Sequence, residues 1–162
     1  DITITNIVLK DPEYPVEVTL HFKAFSSEDV IEQWVEIVQK EAKPLTIFNY
    51  ASSMLHFDAN KYWLTQFHGD WVEEMKMQEN ELASGIKILD TKLGTRAHMY
   101  QTPVFFLSLN EKSDENSGEL IAGTLGWSGN FQFADNCLGN SFYLVNGFEI
   151  QFLGWNCKRC IT

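Results

Sequence analysis

A chain of 162 residues is long enough to bury one substantial core, and its 44% apolar content, with twelve Phe and five Trp, argues against disorder. Twelve basic against twenty-two acidic residues leave a formal charge of −10, a field that repels phosphate backbones and anionic lipid headgroups but is indifferent to neutral sugars. No apolar run approaches the roughly 20 residues that cross a bilayer as a helix, so the expectation is one domain with no nucleic-acid or membrane partner.

The opening DITITNIVLK has neither an initiating Met nor the basic-then-apolar order of a secretion signal, and the chain is expected to begin within a longer precursor. ITITNIVL reads as a strand, closed by a turn at Asp11, Pro12 and Glu13. In YPVEVTLHFKAF, Val16, Val18, Leu20, Phe22 and Ala24 alternate with Glu17, Thr19, His21 and Lys23, the pattern of a strand with one buried face. SSEDVIEQWVEIVQKEAKP supports two readings. Val30, Ile31, Trp34, Val35 and Val38 recur at helical spacing behind a Ser cap, whereas a strand places Trp34, Glu36 and Val38 on one face and Val35 and Ile37 on the other. Pro44 separates it from LTIFNYASSMLHF, which suits a further strand.

YWLTQFHGDWVEEM, residues 62 to 75, packs four aromatics among three acids. As a strand it sets Tyr62, Leu64, Gln66 and His68 on one face and Trp63, Thr65 and Phe67 on the other, with Gly69 and Asp70 allowing a bend before Trp71. Trp63 is read as core and Trp71 as a surface contact. VEEMKMQENEL is ambiguous, IKILD is a strand, KLGTRAH a loop, and PVFFLSL a central strand with Pro103 at its start. NEKSDENSGE then connects PVFFLSL to LIAGTLGW as a long hairpin, and short aromatic runs return in FQF and SFYLV. Short apolar segments at regular turns favour an all-β, antiparallel sandwich.

The candidate chemistry is sparse. Asp70, Glu73 and Glu74 lie beside aromatics that could stack on a sugar, but acids at strand edges and turns are usually solvated. His68 and Asp70 could pair as a base and its orienter, yet no nucleophile elbow accompanies them; His21, His56 and His98 are scattered. CKRC has the spacing of half a zinc site, and Cys137 alone cannot complete four ligands, so no metal is expected. LGTRAH and GTLGWSGN lack the Lys and Ser/Thr of a phosphate loop, so no cofactor is expected either. Tyr62, Trp63, Trp71, Trp127 and Trp155 could offer flat faces to sugar rings, although aromatics also fill the space between sheets.

The order of four segments is more specific than any one motif. VEVTLHFKAFSSEDVIEQWVEIVQKEAKPLTI, YWLTQFHGDWVEE, GIKILDTKLGTRAH and GELIAGTLGWSGNF together resemble the N-terminal domain of family 36 retaining α-galactosidases, over about residues 10 to 134. The resemblance implies a β-supersandwich that precedes a catalytic (β/α)8 barrel and a smaller C-terminal β domain, and it favours strands through residues 30 to 48. It places the catalytic nucleophile and the acid/base aspartate in the barrel, beyond Thr162, and so implies no catalytic residue here. The implied role is an accessory domain, residues 1–162, of an enzyme hydrolysing terminal α-linked galactose from oligosaccharides. Its implied partners are that barrel, a homo-oligomer of the full enzyme, and α-galactosides. Trp71 and His68 are the candidates for a carbohydrate or interface contact. An independent carbohydrate-binding module and a purely structural interaction domain are the alternatives. After Phe133 the resemblance weakens.

Overall fold

The computed structural model describes residues 1–40, 42–47, 50–127, 129–138, 141–147 and 160–161. Its strands are β1 (Ile2–Lys10), β2 (Val16–Phe25), β3 (Val30–Gln39), β4 (Ser53–Asp58), β5 (Tyr62–His68), β6 (Lys76–Glu81) and β7 (Gly85–Thr91). One turn of 3-10 helix (Gly94–Arg96) and the four-residue α1 (Ala97–Tyr100) lead into β8 (Gln101–Leu109). β9 (Glu119–Thr124), β10 (Phe131–Leu138), β11 (Ser141–Gly147) and β12 (Cys160–Ile161) follow. The strand pairings with described register are all antiparallel, as the alternating segments and turn-rich connections require. The chain divides into two compact units, Asp1–Ser53 with Gln151–Thr162, and Met54–Ile150.

The first unit holds a four-stranded sheet in the order β1-β2-β3-β12. The helical option for SSEDVIEQWVEIVQKEAKP, residues 26 to 44, is overturned here: β3 pairs over its whole length with β2, from Val30 opposite Phe25 to Gln39 opposite Val16. Val30, Ile31, Val35, Ile37 and Val38 are β-branched, and the ladder rewards that stiffness where a helix penalises it. Register sets His21 opposite Trp34, and the two rings stack at 4.8 Å and 7°. Asn6 Oδ1 lies 2.9 Å from His21 Nδ1, so this histidine is a packed member of the sheet surface. Between β1 and β2, Asp11 Oδ1 accepts hydrogen bonds from the backbone N–H of Glu13 and Tyr14, both at 2.8 Å. These bonds hold the Asp11 carboxyl below its ordinary range.

In the second unit two sheets, β4-β11-β10-β7 and β6-β5-β8-β9, enclose the core. Tyr62, Leu64, Phe105, Leu107 and Leu109 come from one; Leu89, Phe131, Phe133, Cys137 and Phe142 come from the other. Tyr62 meets Phe142 at 5.0 Å and Phe105 meets Phe133 edge-on at 5.2 Å, a geometry that aligns ring edges with ring faces. The Tyr62 hydroxyl accepts from Ala59 N at 2.7 Å and donates to Phe57 O at 2.9 Å, which makes its burial tolerable. Gly123 is set by this core, because a Cβ there would lie 2.3 Å from the Phe105 ring. The expectation that Trp63 is core is corrected: it lies on the opposite face of β5 from Tyr62 and Leu64, half-buried, with Lys61 Nζ 5.7 Å from its ring. Period-two alternation identified two faces of β5, but both carry aromatics, and packing chose the one with Tyr62.

Candidate functional site

β5 and β6 pair from Trp63 opposite Glu81 to His68 opposite Lys76, and the segment between them forms a tight, exposed tip. Gly69 begins it. Its N–H donates to Tyr100 O at 2.9 Å, and a Cβ would meet Glu73 O at 2.8 Å, Glu74 Cα at 3.0 Å and Met99 O at 3.1 Å. Only glycine permits this closeness of three backbone segments. Asp70 and Glu73 exchange backbone hydrogen bonds, and Asp70 Oδ1 accepts from Trp71 N at 2.7 Å. Glu73 and Lys76 form an ion pair, and Thr102 Oγ1 donates to Met75 Sδ at 3.3 Å. Val72 at φ 66° and Met75 at φ 55° occupy the left-handed region, which is costly for a β-branched side chain.

The result is a constrained turn that pushes apolar side chains into solvent. Trp71 is 78% exposed and Val72 74%, with Met75 and Met77 exposed beside them. His68, also exposed, ends β5 opposite Gln101 of β8, where the pairing shifts register after Gln66. Among the described residues, no hydrogen bond, ion pair or ring stacking joins His68 to Asp70 or Trp71, so the structure does not build the imagined base and orienter. Asp70, Glu73 and Glu74 are exposed, as the solvated reading holds.

A second turn is tied to the same connection. Trp127 Nε1 donates to Asn130 O at 3.1 Å, and Asn130 Oδ1 accepts from Gly94 N at 2.7 Å. The segment from Gly94 to Tyr100 is therefore pinned to the Trp127 turn at one end and to Gly69 at the other. Tyr62 is core rather than a sugar platform, with 1% of its surface exposed. Trp155 and Cys157 lie outside the described residues, among which no group of three or more His, Cys, Asp or Glu could hold a metal ion.

The acid whose environment departs most from water was not singled out from the sequence. Asp135 is 1% exposed, and neither carboxylate oxygen has a hydrogen-bond partner. Burial pushes its pKa up to about 7, with Lys87 opposing. The signal was present in FQFADNCL, where Phe131, Phe133, Asp135 and Cys137 share one face. The strained Val72 had no such signal, because neither charge nor periodicity marks it.

The sequence model of the family described as Glycosyl hydrolase family 36 N-terminal domain matches residues 1–157. The chain belongs to this family. As a family 36 N-terminal domain it is 26% identical over 158 residues to Alpha-galactosidase C of Emericella nidulans, covering 96% of this chain and 21% of that protein. It is 27% identical over 125 residues to Alpha-galactosidase AgaA of Geobacillus stearothermophilus, covering 77% of this chain and 17% of that protein. The crystal structure of AgaA superposes on 91% of this chain and 20% of its own with a TM-score of 0.84 at 23% identity. That of the α-galactosidase from Lactobacillus brevis covers 92% of this chain and 20% of its own, with a TM-score of 0.83 at 23% identity. These likenesses establish the fold, an all-β, antiparallel supersandwich arrangement. The family 36 domain described here spans about a fifth of the length of such relatives.

Proposed function

We propose that residues 1–162 are the N-terminal accessory domain of a longer, retaining α-galactosidase, without a reaction centre of their own. The observation that carries this reading is the family match over residues 1–157, combined with relatives named α-galactosidases of which the chain spans only a fifth. The acids agree with it. Retaining hydrolysis places two carboxyl groups about 5 Å apart across the glycosidic bond, one poised to attack and one to exchange a proton. Here the acid with the strongly raised pKa, Asp135, is sealed in an apolar core, and the acids beside the exposed aromatics stand in solvent. In this reading the domain supports the catalytic barrel of the same polypeptide, takes part in a domain or subunit interface of a homo-oligomer, and offers Trp71 and His68 as contacts.

The test compares purified residues 1–162 with the full enzyme on an aryl α-galactoside: the fragment is expected to release no galactose. Comparable turnover by the two sinks the reading. In the full enzyme Trp71→Ala is expected to cost about 2 kcal/mol of assembly or substrate binding, the range of a contact at the centre of an interface.

The exposure of Trp71, 78% on a constrained turn, also favours a second reading, in which the domain binds carbohydrate by itself. Calorimetry of the folded fragment with galactose, melibiose and raffinose separates the two. Absence of heat at high sugar concentration leaves the interface reading.

A further inference from the structure

Two glycine-containing segments that form no phosphate loop, LGTRAH and GTLGWSGN, meet through one residue. Asn130 Oδ1 accepts from Gly94 N at 2.7 Å, and Asn130 O accepts from Trp127 Nε1 at 3.1 Å. The Trp127 turn is close-packed, since a Cβ at Gly129 would lie 2.6 Å from Trp127 Nε1. From Gly94 the chain runs through one turn of 3-10 helix and the four-residue α1. A piece this short does not hold its own shape in water, where helices under about 12 residues are marginal, so the ties at its two ends set its position.

At the far end three consecutive residues hold the β5–β6 tip. Tyr100 O accepts from Gly69 N at 2.9 Å, Gln101 Nε2 donates to Phe67 O at 3.1 Å, and Thr102 Oγ1 donates to Met75 Sδ at 3.3 Å. The sheet ladder is broken here: Gln66 faces Phe105 while His68 faces Gln101, so two steps along β5 meet four along β8, and Pro103 in that gap has no N–H to donate. Among the described residues no hydrogen bond or ion pair joins Asn130 directly to residues 69–77. We infer that Asn130 is a positioning residue for Trp71, acting through residues 94–102 to fix where the tip presents its indole. The inference rests on the reading that Trp71 is a contact in the full enzyme. Loss of the Asn130 side-chain oxygen leaves the Gly94 N–H, on a backbone at φ 62°, without its acceptor and frees the near end of the segment that carries the tip's ties.

A double-mutant cycle in the full enzyme tests this, read as subunit assembly by sedimentation and as KM and kcat on raffinose. Asn130→Ala is expected to weaken, by about 10-fold, the same property that Trp71→Ala weakens. Asn130→Asp keeps an acceptor oxygen in place and is expected to stay within about twofold of the wild type. The double variant is expected to match Trp71→Ala alone within about twofold, because a residue that acts only through Trp71 has nothing to position once the indole is gone. With fluorotryptophan incorporated, the fluorine resonance of Trp71 is expected to move in Asn130→Ala while that of Trp34 stays. Losses that add in the double variant overturn the inference, as does an unmoved Trp71 resonance. Where Asn130→Ala does not fold, hydrogen exchange of the wild-type enzyme decides: the Gly94 and Gly69 amides are expected to open together, with protection within about threefold, and independent opening overturns the inference. A silent Trp71→Ala overturns the contact reading alone, and the resonance and the exchange then decide the positioning.

Discussion

Asp135 shows how one buried residue can make stability depend on pH. Its folded pKa, about 7, lies above its ordinary 3.8 because burial penalises the anion more than Lys87 helps it. The folded state therefore holds the proton more tightly than the unfolded chain. This contribution is full below about pH 4, declines as pH rises to about 7, and is flat above, a total of about 4 kcal/mol. Asp135→Asn, a neutral substitute for the protonated acid, is expected to remove that slope. Urea unfolding of both proteins at pH 4.5 and pH 8 measures it: near-equal stabilities at the lower pH and a more stable variant at the higher one. A wild-type advantage that grows with pH would show that the carboxylate has a partner in the folded state.

The β5–β6 connection is the element in which local chemistry and tertiary structure disagree. Its alternating strands are legible in YWLTQFH and KMQENE, and the bend at Gly69 is legible from the glycine itself. The strain is not, since Val72 enters the left-handed region only because the backbone is held by Tyr100 O and by the Asp70–Glu73 bonds. Val72→Gly is expected to stabilise the domain by about 1 kcal/mol, relieving that conformation. Gly69→Ala is expected to destabilise it by about 2 kcal/mol through overpacking against backbone that cannot give way. Chemical denaturation of the two variants measures both signs. Equal, negligible effects would mean that the tip is not constrained.

Across the whole molecule the apolar burial is uneven. The described core cluster belongs to the second unit, whereas β1 in the first is exposed along its entire length. Opening energies follow buried apolar contacts, so amides of β1 are expected to exchange faster in the 162-residue chain than those of β5, β8 and β10. Mass spectrometry of exchanged peptides ranks them, and slow exchange in β1 comparable to β8 would show that burial does not govern opening here.

What the sequence determined by itself was local: the alternation of Val16 to Phe25, the long polar hairpin after Leu109, and the order of segments that marks the family. These are legible because side-chain direction in a strand has a period of two and turns need particular residues. At Val30–Gln39 the apolar spacing satisfies both helix and strand; the order of family segments favours strand, and pairing with β2 shows it. Tertiary structure alone chose Tyr62 over Trp63 for the core, whereas the exposure of Trp71 follows from the bend at Gly69 and Asp70. The physical reason is the same in each case: a pattern states which residues share a face, but what lies opposite that face is set by chain segments distant in sequence.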